Sequence, residues 1–232
     1  EVAAHAIGTK YKGIPVGGIA DLTTFSFHPV KTITCGEGGA ILTNDEKFYK
    51  KMLLFRSHGI TRDPTLMLQN PFEGYNEQIE LGYNYRMTDF QAALGISQLE
   101  KIWIFSKRRS DITKRYNEAF SQIPQLTIQK EIIESETSRH LYIIRIKPHL
   151  LTVGRDEFYK ALNVENVGLQ VHYIPVYYHP YYQALGYKKG ICPIAEKLYE
   201  EIITIPLYYS LTDEDVQDII NAVKKIVDYY KK

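Results

Sequence analysis

The sequence predicts an α/β chain in two parts, a first part over residues 1–108 and a small α+β domain over residues 109–232. Two apolar runs of strand length flank a polar turn near the start, and a long helical pattern covers residues 87–120. From about Pro124 onward, short strand patterns alternate with helical ones, which is typical of helices packed on one face of a small sheet. A chain of 232 residues with 44% hydrophobic content can bury a core.

The first part is predicted to contain two strands and a capped helix. The runs ADLTTFSF at 20–27 and GGAILTND at 38–45 have the composition of strands and are bounded by turn-forming residues. Asp45 is placed to cap a helix that follows it, and Gly59 ends that helix. Residues 61–79 hold prolines and a glycine with little periodicity, so we expect a surface loop there.

A second helical region and the elements of the small domain follow. Thr88 is a suitable N-cap, and an apolar stripe lies along the helix after it, formed by Phe90, Ala93, Leu94 and Leu99. Strands are then predicted at 140–147, 168–175 and 203–207, and helices at 156–165, 192–202 and 212–230. The last of these helices is predicted to be amphipathic and capped at its start. These elements define the small α+β domain.

The charge and the cysteine content of the chain limit the classes of partner that the sequence predicts. Lys and Arg total 28 against 27 Asp and Glu, so the net charge of +1 predicts neither nucleic acid nor a membrane surface as a partner. No stretch of sequence is long and apolar enough to span a bilayer. Cys35 and Cys192 fit no metal-ligand spacing, so we expect no metal site and two reduced thiols, as in a cytoplasmic protein.

The segment FSFHPVKTITCGEGG at 25–39, which spans the turn and the adjoining ends of the two predicted strands, carries the residues most indicative of chemistry. A lysine in such a turn is ordinarily solvated, but Lys31 lies between Ser26 and three glycines that permit close backbone approach of a ligand. A lysine desolvated against a cofactor loses its proton and becomes an amine nucleophile. Ser26 can donate a hydrogen bond to a phosphate oxygen.

Several separated motifs occur together with this turn. They are S-F-H-x-x-K followed by T-x-x-x-G-E-G-G, FRSHG at 55–59, GYNYRMTDFQAALGISQL at 82–99, and VHYIP at 171–175. In this order they resemble the DegT/StrS-type sugar aminotransferases, and the resemblance runs nearly end to end. It implies pyridoxal phosphate as the cofactor, a fold type I large domain followed by a small α+β domain, and amination of keto groups on nucleotide-linked sugars, usually with glutamate as amino donor.

The resemblance also assigns roles to individual residues. It makes Lys31 the catalytic lysine that holds the cofactor through a Schiff base, and Ser26 the serine that contacts the cofactor phosphate. His5 falls where the family has a Gln or His beside the cofactor ring. Asn84 is similar to the asparagine that reaches the cofactor phosphate of the neighbouring subunit, which implies a homodimer with shared active sites.

Three further residues are candidates for substrate contact, each with a structural alternative. His28 stands near the lysine and faces either the sugar or the turn. Arg86 contacts substrate or anchors the segment that carries Asn84, and His172 contacts substrate or packs in the fold. The tyrosine-rich run at 173–187 is a half-buried packing surface or a substrate wall.

The match departs from the family at the start of the chain. Val2 occupies the position where the family has an Asp that pairs with the pyridinium nitrogen, and the upstream part of the family's large domain is expected to be missing. Passages such as GITRDP and SRHLYIIRI most resemble members that aminate C4 of a UDP-linked 4-keto-6-deoxy-N-acetyl hexosamine in pseudaminic acid biosynthesis. Two alternatives remain, a sugar dehydratase, against which Lys31 argues, and a degenerate non-catalytic subunit that only dimerises.

Overall fold

The computed structural model describes residues 1–69 and 72–232, which form two compact units. Unit 1 comprises Glu1–Trp103 with Glu134–Thr137, and unit 2 comprises Ile104–Ile133 with Ser138–Lys232. Each unit is defined by the contacts within it. Because a grouping by contacts is not a test of domain boundaries, the boundary predicted at residue 108 stays a prediction.

Unit 1 is built from short strands and two helices, and a third helix begins in it. The strands are β1 (Lys10–Tyr11), β2 (Ile14–Pro15), β3 (Thr23–Ser26), β4 (Gly39–Leu42), β5 (Ile60–Thr61), β6 (Glu77–Gln78) and β8 (Ser135–Glu136). The helices are α1 (Glu46–Arg56), α2 (Asp89–Leu99) and the first residues of α3 (Ile102–Phe120). Sheet order is β2-β1-β8 in one antiparallel sheet, while β3-β4 and β5-β6 form two hairpins.

The β3–β4 hairpin carries the candidate residues Ser26, His28 and Lys31, and both predicted strands are confirmed in shortened form. The strands pair from Thr23 opposite Leu42 to Ser26 opposite Gly39. Thr23 and Phe25 are buried, as expected for alternate residues on the inner face of a strand. The remaining residues of the two predicted runs belong to the connecting turns.

The predicted cap of α1 is confirmed. The Asp45 carboxylate accepts hydrogen bonds from the backbone N–H groups of Lys47 at 2.7 Å and Phe48 at 3.2 Å. The helix ends just before Gly59, which has a φ of +70° and whose added Cβ would overlap the Glu80 carbonyl. Glycine is therefore required there by both backbone conformation and close packing.

The described part of the predicted loop at 61–79 is mostly irregular and contains the last residue of β5, Thr61, and the short strand β6. Asn70 and Pro71 of this loop lie outside the described residues.

The predicted N-cap of α2 is also confirmed, but its apolar stripe is not buried. Thr88 Oγ1 accepts from Gln91 N at 3.4 Å, and the Gln91 side chain accepts from Thr88 N at 3.0 Å, which completes a capping box. Phe90 is 91% exposed, and Leu94 and Leu99 are exposed as well. The described part of unit 1 therefore offers this helix face no apolar surface to pack against.

Unit 2 packs helices on a three-stranded antiparallel sheet of order β10-β9-β7. Its strands are β7 (Leu126–Ile128), β9 (Tyr142–Ile146) and β10 (Ile202–Ile205), and its helices are the rest of α3, α4 (Arg155–Val164), α5 (Pro180–Ala184), α6 (Pro193–Tyr199) and α7 (Asp213–Tyr230). The core joins α3, α4 and α7 to the sheet, with Ile112, Ile144, Phe158, Ile203 and Val223 fully buried. The predicted capped amphipathic helix at 212–230 is confirmed, since Thr212 and Asp215 form a capping box.

Two predicted elements of this unit differ from the structure. The strand predicted at 168–175 is absent, because only Gln170 pairs with Thr204 before the chain turns away. The helix predicted at 192–202 ends at Tyr199, because β10 begins at Ile202.

Two buried side chains of α3, Arg109 and Tyr116, form hydrogen bonds to backbone carbonyls. The Arg109 guanidinium donates to the carbonyls of His140 at 3.0 Å and Leu207 at 2.7 Å, and burial lowers its pKa to about 10. Tyr116 donates to the Pro206 carbonyl at 2.9 Å. These contacts tie α3 to the segments around the sheet. No described helix is long and apolar enough to cross a membrane.

Candidate functional site

The turn between β3 and β4 carries Lys31 and is braced from within. Phe27 N donates to the Gly38 carbonyl at 2.8 Å, and Cys35 N donates to the Phe27 carbonyl at 3.1 Å. Thr34 Oγ1 donates to the Phe27 carbonyl at 2.9 Å and accepts from Gly36 N at 2.9 Å. The Thr34 hydroxyl therefore closes the turn with two bonds, and no sequence signal pointed to it.

A second brace reaches the turn from α2. Gln91 Nε2 donates to the Glu37 carbonyl at 2.9 Å, and Cys35 Sγ contacts the same carbonyl at 3.4 Å. Burial raises the pKa of the Cys35 thiol, which disfavours its reactive thiolate form. The T-x-x-Q pattern that begins at Thr88 signals a capping box, but the sequence gives no sign that Gln91 also holds this turn.

The three glycines of the turn have explanations inside the protein. Gly36 has a φ of +83°, which L-residues rarely adopt. A Cβ on Gly38 would lie 2.5 Å from Cys35 Sγ, and one on Gly39 would lie 2.6 Å from the Phe25 carbonyl oxygen. Backbone conformation and packing thus require these glycines, so they are not by themselves evidence for a closely approaching ligand.

Lys31 is placed by a tight turn and contacts His5. Lys31 N donates to the His28 carbonyl at 2.9 Å across a β-turn in which Pro29 takes the second position, where its fixed φ is favourable. Lys31 Nζ lies 2.7 Å from His5 Nε2. Burial lowers the pKa of the lysine, which favours the neutral amine.

His5 reaches this position because the first residues of the chain run parallel to β3. Ala3 N donates to the Thr24 carbonyl, and Thr24 N donates to the Glu1 carbonyl, each at 2.9 Å. Two predicted site residues, His5 and Lys31, are thereby brought together.

Ser26 is the last residue of β3, and His28 lies on the turn that carries Lys31. Ser26 Oγ accepts from His28 N at 3.4 Å, so its hydroxyl hydrogen can still be donated. His28 Nε2 lies 3.7 Å from a Glu37 carboxylate oxygen, and both side chains are exposed. The contacts of His28 are with the turn itself, whichever of its two predicted roles applies.

The residues of the turn suit some parts of a pyridoxal phosphate molecule and not others. Lys31 offers an amine, Ser26 offers a hydroxyl for a phosphate, and Thr32 has a buried Oγ1 without a hydrogen-bond partner, its residue being 6% exposed. Val2, which is 88% exposed and apolar, offers nothing to a ring nitrogen. The covalent and phosphate attachments therefore fit, whereas the charged partner that a pyridinium prefers does not come from Val2.

Asn84 and Arg86 lie on an extended segment that pairs with the end of α1. Tyr83 N donates to the Phe55 carbonyl at 2.7 Å, and Tyr85 N donates to the Arg56 carbonyl at 2.9 Å. Both Asn84 and Arg86 are exposed, and no hydrogen bond of the described residues joins them to the Lys31 turn.

His172 and the tyrosine-rich run belong to unit 2. His172 Nδ1 lies 2.8 Å from Thr204 Oγ1 on β10, so its ring packs against the sheet. Tyr177 donates to Glu196 Oε1 at 2.8 Å, which fixes the run to α6. Tyr173 and Tyr181 are exposed, so the run is only partly a packing surface.

No group of three or more His, Cys, Asp or Glu side chains among residues 1–69 and 72–232 could hold a metal ion. Cys35 and Cys192 are both free thiols.

The hairpin turn of this α/β chain presents a partly buried lysine amine beside a histidine, and a neutral amine is the group that can form a Schiff base with a carbonyl compound. The chain belongs to the DegT/DnrJ/EryC1/StrS aminotransferase family, whose sequence profile matches residues 1–224. The resemblance predicted from the motifs is thereby confirmed.

Curated relatives of this family cover almost the whole chain. The chain is 40% identical over 229 residues to the spore coat polysaccharide biosynthesis protein SpsC of Bacillus subtilis, covering 98% of this chain and 59% of SpsC. It is 34% identical over 229 residues to the UDP-4-amino-4,6-dideoxy-N-acetyl-beta-L-altrosamine transaminase of Helicobacter pylori, covering 99% of this chain and 58% of that protein. The chain thus spans less than three fifths of the length of these relatives.

A solved structure confirms the predicted fold class. The sugar aminotransferase Spr1654 of Streptococcus pneumoniae, described as putative and in its PMP form, superimposes with a TM-score of 0.88 at 34% identity. The match covers 98% of this chain and 59% of Spr1654. The α/β fold is therefore that of a fold type I sugar aminotransferase.

Proposed function

We propose that this chain is part of a pyridoxal-phosphate-dependent aminotransferase that moves an amino group from glutamate to C4 of a UDP-linked 4-keto-6-deoxy-N-acetyl hexosamine. The observation that carries the proposal is the braced turn in which Lys31 Nζ lies 2.7 Å from His5 Nε2. A solvated surface lysine would need neither the internal bonds of Thr34 nor the tie from Gln91. Their presence supports a turn built to hold the lysine in place.

The residues of the turn divide the chemical tasks. Lys31 would hold the cofactor covalently, and Ser26 would donate its hydroxyl hydrogen to the phosphate. When bound, pyridoxal phosphate supplies an electron sink for charge that develops at an adjacent carbon. Lys31 Nζ, once displaced by the amino donor, would take the proton from the donor's Cα and later deliver a proton to C4 of the sugar. The depressed pKa of Lys31 suits this task, because the amine must be neutral to accept a proton.

The remaining predicted residues are proposed to bind the nucleotide sugar or the cofactor phosphate. His28 on the Lys31 turn and Arg86 on the segment after Asn84 are proposed to contact the nucleotide sugar, as is His172 in unit 2. Asn84 is exposed, and we propose that it reaches the cofactor phosphate of a second copy, so that the protein works as a homodimer with shared sites. Two free cysteines suit a reducing, cytoplasmic location.

The proposed sugar substrate is based on two relatives whose names differ. The altrosamine transaminase at 34% identity supports a UDP-linked substrate and a pseudaminic-acid-type pathway, whereas SpsC at 40% supports surface polysaccharide synthesis in general. Both are consistent with amination of a nucleotide-linked keto sugar.

A second candidate function follows from Val2. Its apolar side chain cannot pair with a ring nitrogen, which weakens the electron sink and favours a non-catalytic subunit that only dimerises.

One assay separates these candidates. The chain is incubated with pyridoxal phosphate, glutamate and either UDP- or dTDP-linked 4-keto sugars, and the products are read by mass spectrometry. Amination of the UDP-linked N-acetyl hexosamine, lost in Lys31→Ala, is the expected result. Preference for a dTDP sugar would overturn the substrate assignment, and no amination with any sugar would favour the non-catalytic subunit.

A further inference from the structure

The contact between Lys31 and His5 requires one hydrogen-bond donor and one acceptor. The 2.7 Å separation between Nζ and Nε2 is that of a hydrogen bond. A lysine ammonium carries three donors and no acceptor, so His5 must then accept through Nε2, with the ring proton on Nδ1. Protonation of both atoms would place two donors and two positive charges against each other, which the geometry excludes.

We propose that His5 is a positioning residue for Lys31, whose Nε2 accepts a hydrogen bond from the lysine ammonium whenever that side chain is not covalently engaged. This bond fixes Nζ within the turn and stabilises its charged form. The inference rests on the proposed function for the task of Lys31, whereas the contact itself is a property of unit 1.

Two effects act on the protonation of Lys31 in opposite directions. Desolvation by partial burial lowers its pKa, because removal from water disfavours the ammonium. A hydrogen bond in which His5 Nε2 accepts from the lysine ammonium favours the charged form of Lys31. Because Lys31 keeps contact with solvent, water competes for its donors, and we expect the bond to change the amine fraction by about tenfold, equivalent to about one pH unit.

The other ionisable groups packed around the turn have different partners. A Glu1 carboxylate oxygen accepts from Thr23 Oγ1 at 3.4 Å, His28 lies 3.7 Å from Glu37, and the Cys35 thiol contacts a backbone carbonyl. Among the described residues, the hydrogen-bond partner of Lys31 Nζ is His5. Changing His5 therefore tests one specific interaction.

The test measures the reactivity of Lys31 in the cofactor-free chain as a function of pH. The protein is labelled with trace acetic anhydride between about pH 6 and pH 11, and acetylation of each lysine is quantified by mass spectrometry. Only the neutral amine reacts, so the midpoint of the curve reports the protonation of Lys31. The exposed Lys47 on α1 serves as the reference within each sample.

Three variants distinguish the effect of the hydrogen-bond acceptor at position 5 from the effect of the histidine ring. His5→Phe removes the acceptor, and we expect the Lys31 midpoint to fall by about one pH unit, with about tenfold faster labelling below the midpoint. His5→Gln retains a carbonyl acceptor and is expected to return the midpoint toward that of the unchanged protein. His149→Gln, an exposed histidine of unit 2, is the matched control and should leave the midpoint unchanged.

Two results would overturn the proposal. One is an unchanged midpoint in His5→Phe, and the other is an equal fall in His5→Phe and His5→Gln, since loss of the acceptor would then not be the cause. If His5→Phe does not fold, His5→Leu provides an acceptor-free variant of different shape. Failure of the proposed function would be seen separately, as no reducible attachment of pyridoxal phosphate to Lys31, and that result does not alter the acetylation curves.

Discussion

The hydroxyl of Thr34 should be needed for cofactor attachment although its hydrogen bonds are with Phe27 and Gly36 and not with Lys31. Thr34→Val keeps the shape of the side chain but removes the bond to the Phe27 carbonyl and the bond from Gly36 N, both at 2.9 Å. A neutral hydrogen bond contributes about 0.5–1.5 kcal/mol, and partly buried partners left unpaired add to that cost. We therefore expect Thr34→Val to lower the free energy of unfolding by about 2 kcal/mol.

The chain offers a matched control for this change. Thr43 Oγ1 donates to the Asp21 carbonyl at 2.6 Å and accepts from Asp45 N at 3.1 Å, which is the same two-bond pattern formed by solvent-exposed hydrogen bonds. Water can replace these bonds, so Thr43→Val should cost about 1 kcal/mol or less. Urea unfolding of both variants measures the two losses.

The functional readout is the attachment of pyridoxal phosphate, which is measured by absorbance and by borohydride trapping. If the Thr34 bonds hold the turn in the shape that presents Lys31, Thr34→Val should weaken attachment about tenfold, which corresponds to about 1.4 kcal/mol. Thr43→Val should leave it unchanged. Unchanged attachment in a destabilised Thr34→Val would refute the view that this hydroxyl positions the lysine.

Two further predictions concern stability. Burial raises the pKa of Tyr116 and Tyr142 far above the usual value, so above about pH 10 only the unfolded chain ionises them and stability is lost as pH rises, by about 1.4 kcal/mol per pH unit for each. Urea unfolding between about pH 9 and pH 11 should show a shallower decline for Tyr116→Phe/Tyr142→Phe, and an equally steep decline would contradict this. Thr88→Ala removes the N-cap of α2 and should cost about 1 kcal/mol, with Thr88→Ser restoring it; equal losses in both variants would indicate that the methyl group matters and not the cap.

Local signals in the sequence were sufficient for the elements that depend on nearby residues. The sequence was sufficient to predict the N-caps Asp45, Thr88 and Thr212, because an N-cap depends on the next three residues. The prediction of a strand at 168–175 was wrong because strand formation depends on a partner, and of these residues only Gln170 pairs with β10. The stripe of α2 was visible in the sequence, but whether a stripe is buried depends on what packs against it.

The candidate site was predictable only in part for the same reason. Lys31 and Ser26 share one turn, so their proximity followed from the sequence. The contact of His5 with Lys31 spans 26 residues and depends on the parallel pairing of the first residues with β3. The braces from Thr34 and Gln91 are hydrogen bonds to backbone carbonyls, which any sequence supplies, so no motif marked them.

The most direct measurement of the central claim is the position of the cofactor on the chain. The protein is incubated with pyridoxal phosphate, reduced with borohydride, digested, and mapped by mass spectrometry. The expected result is a single phosphopyridoxyl group on the peptide that contains Lys31, absent in Lys31→Met. Attachment to other lysines at the same level, or none at Lys31, would contradict the assignment of this turn as the cofactor site.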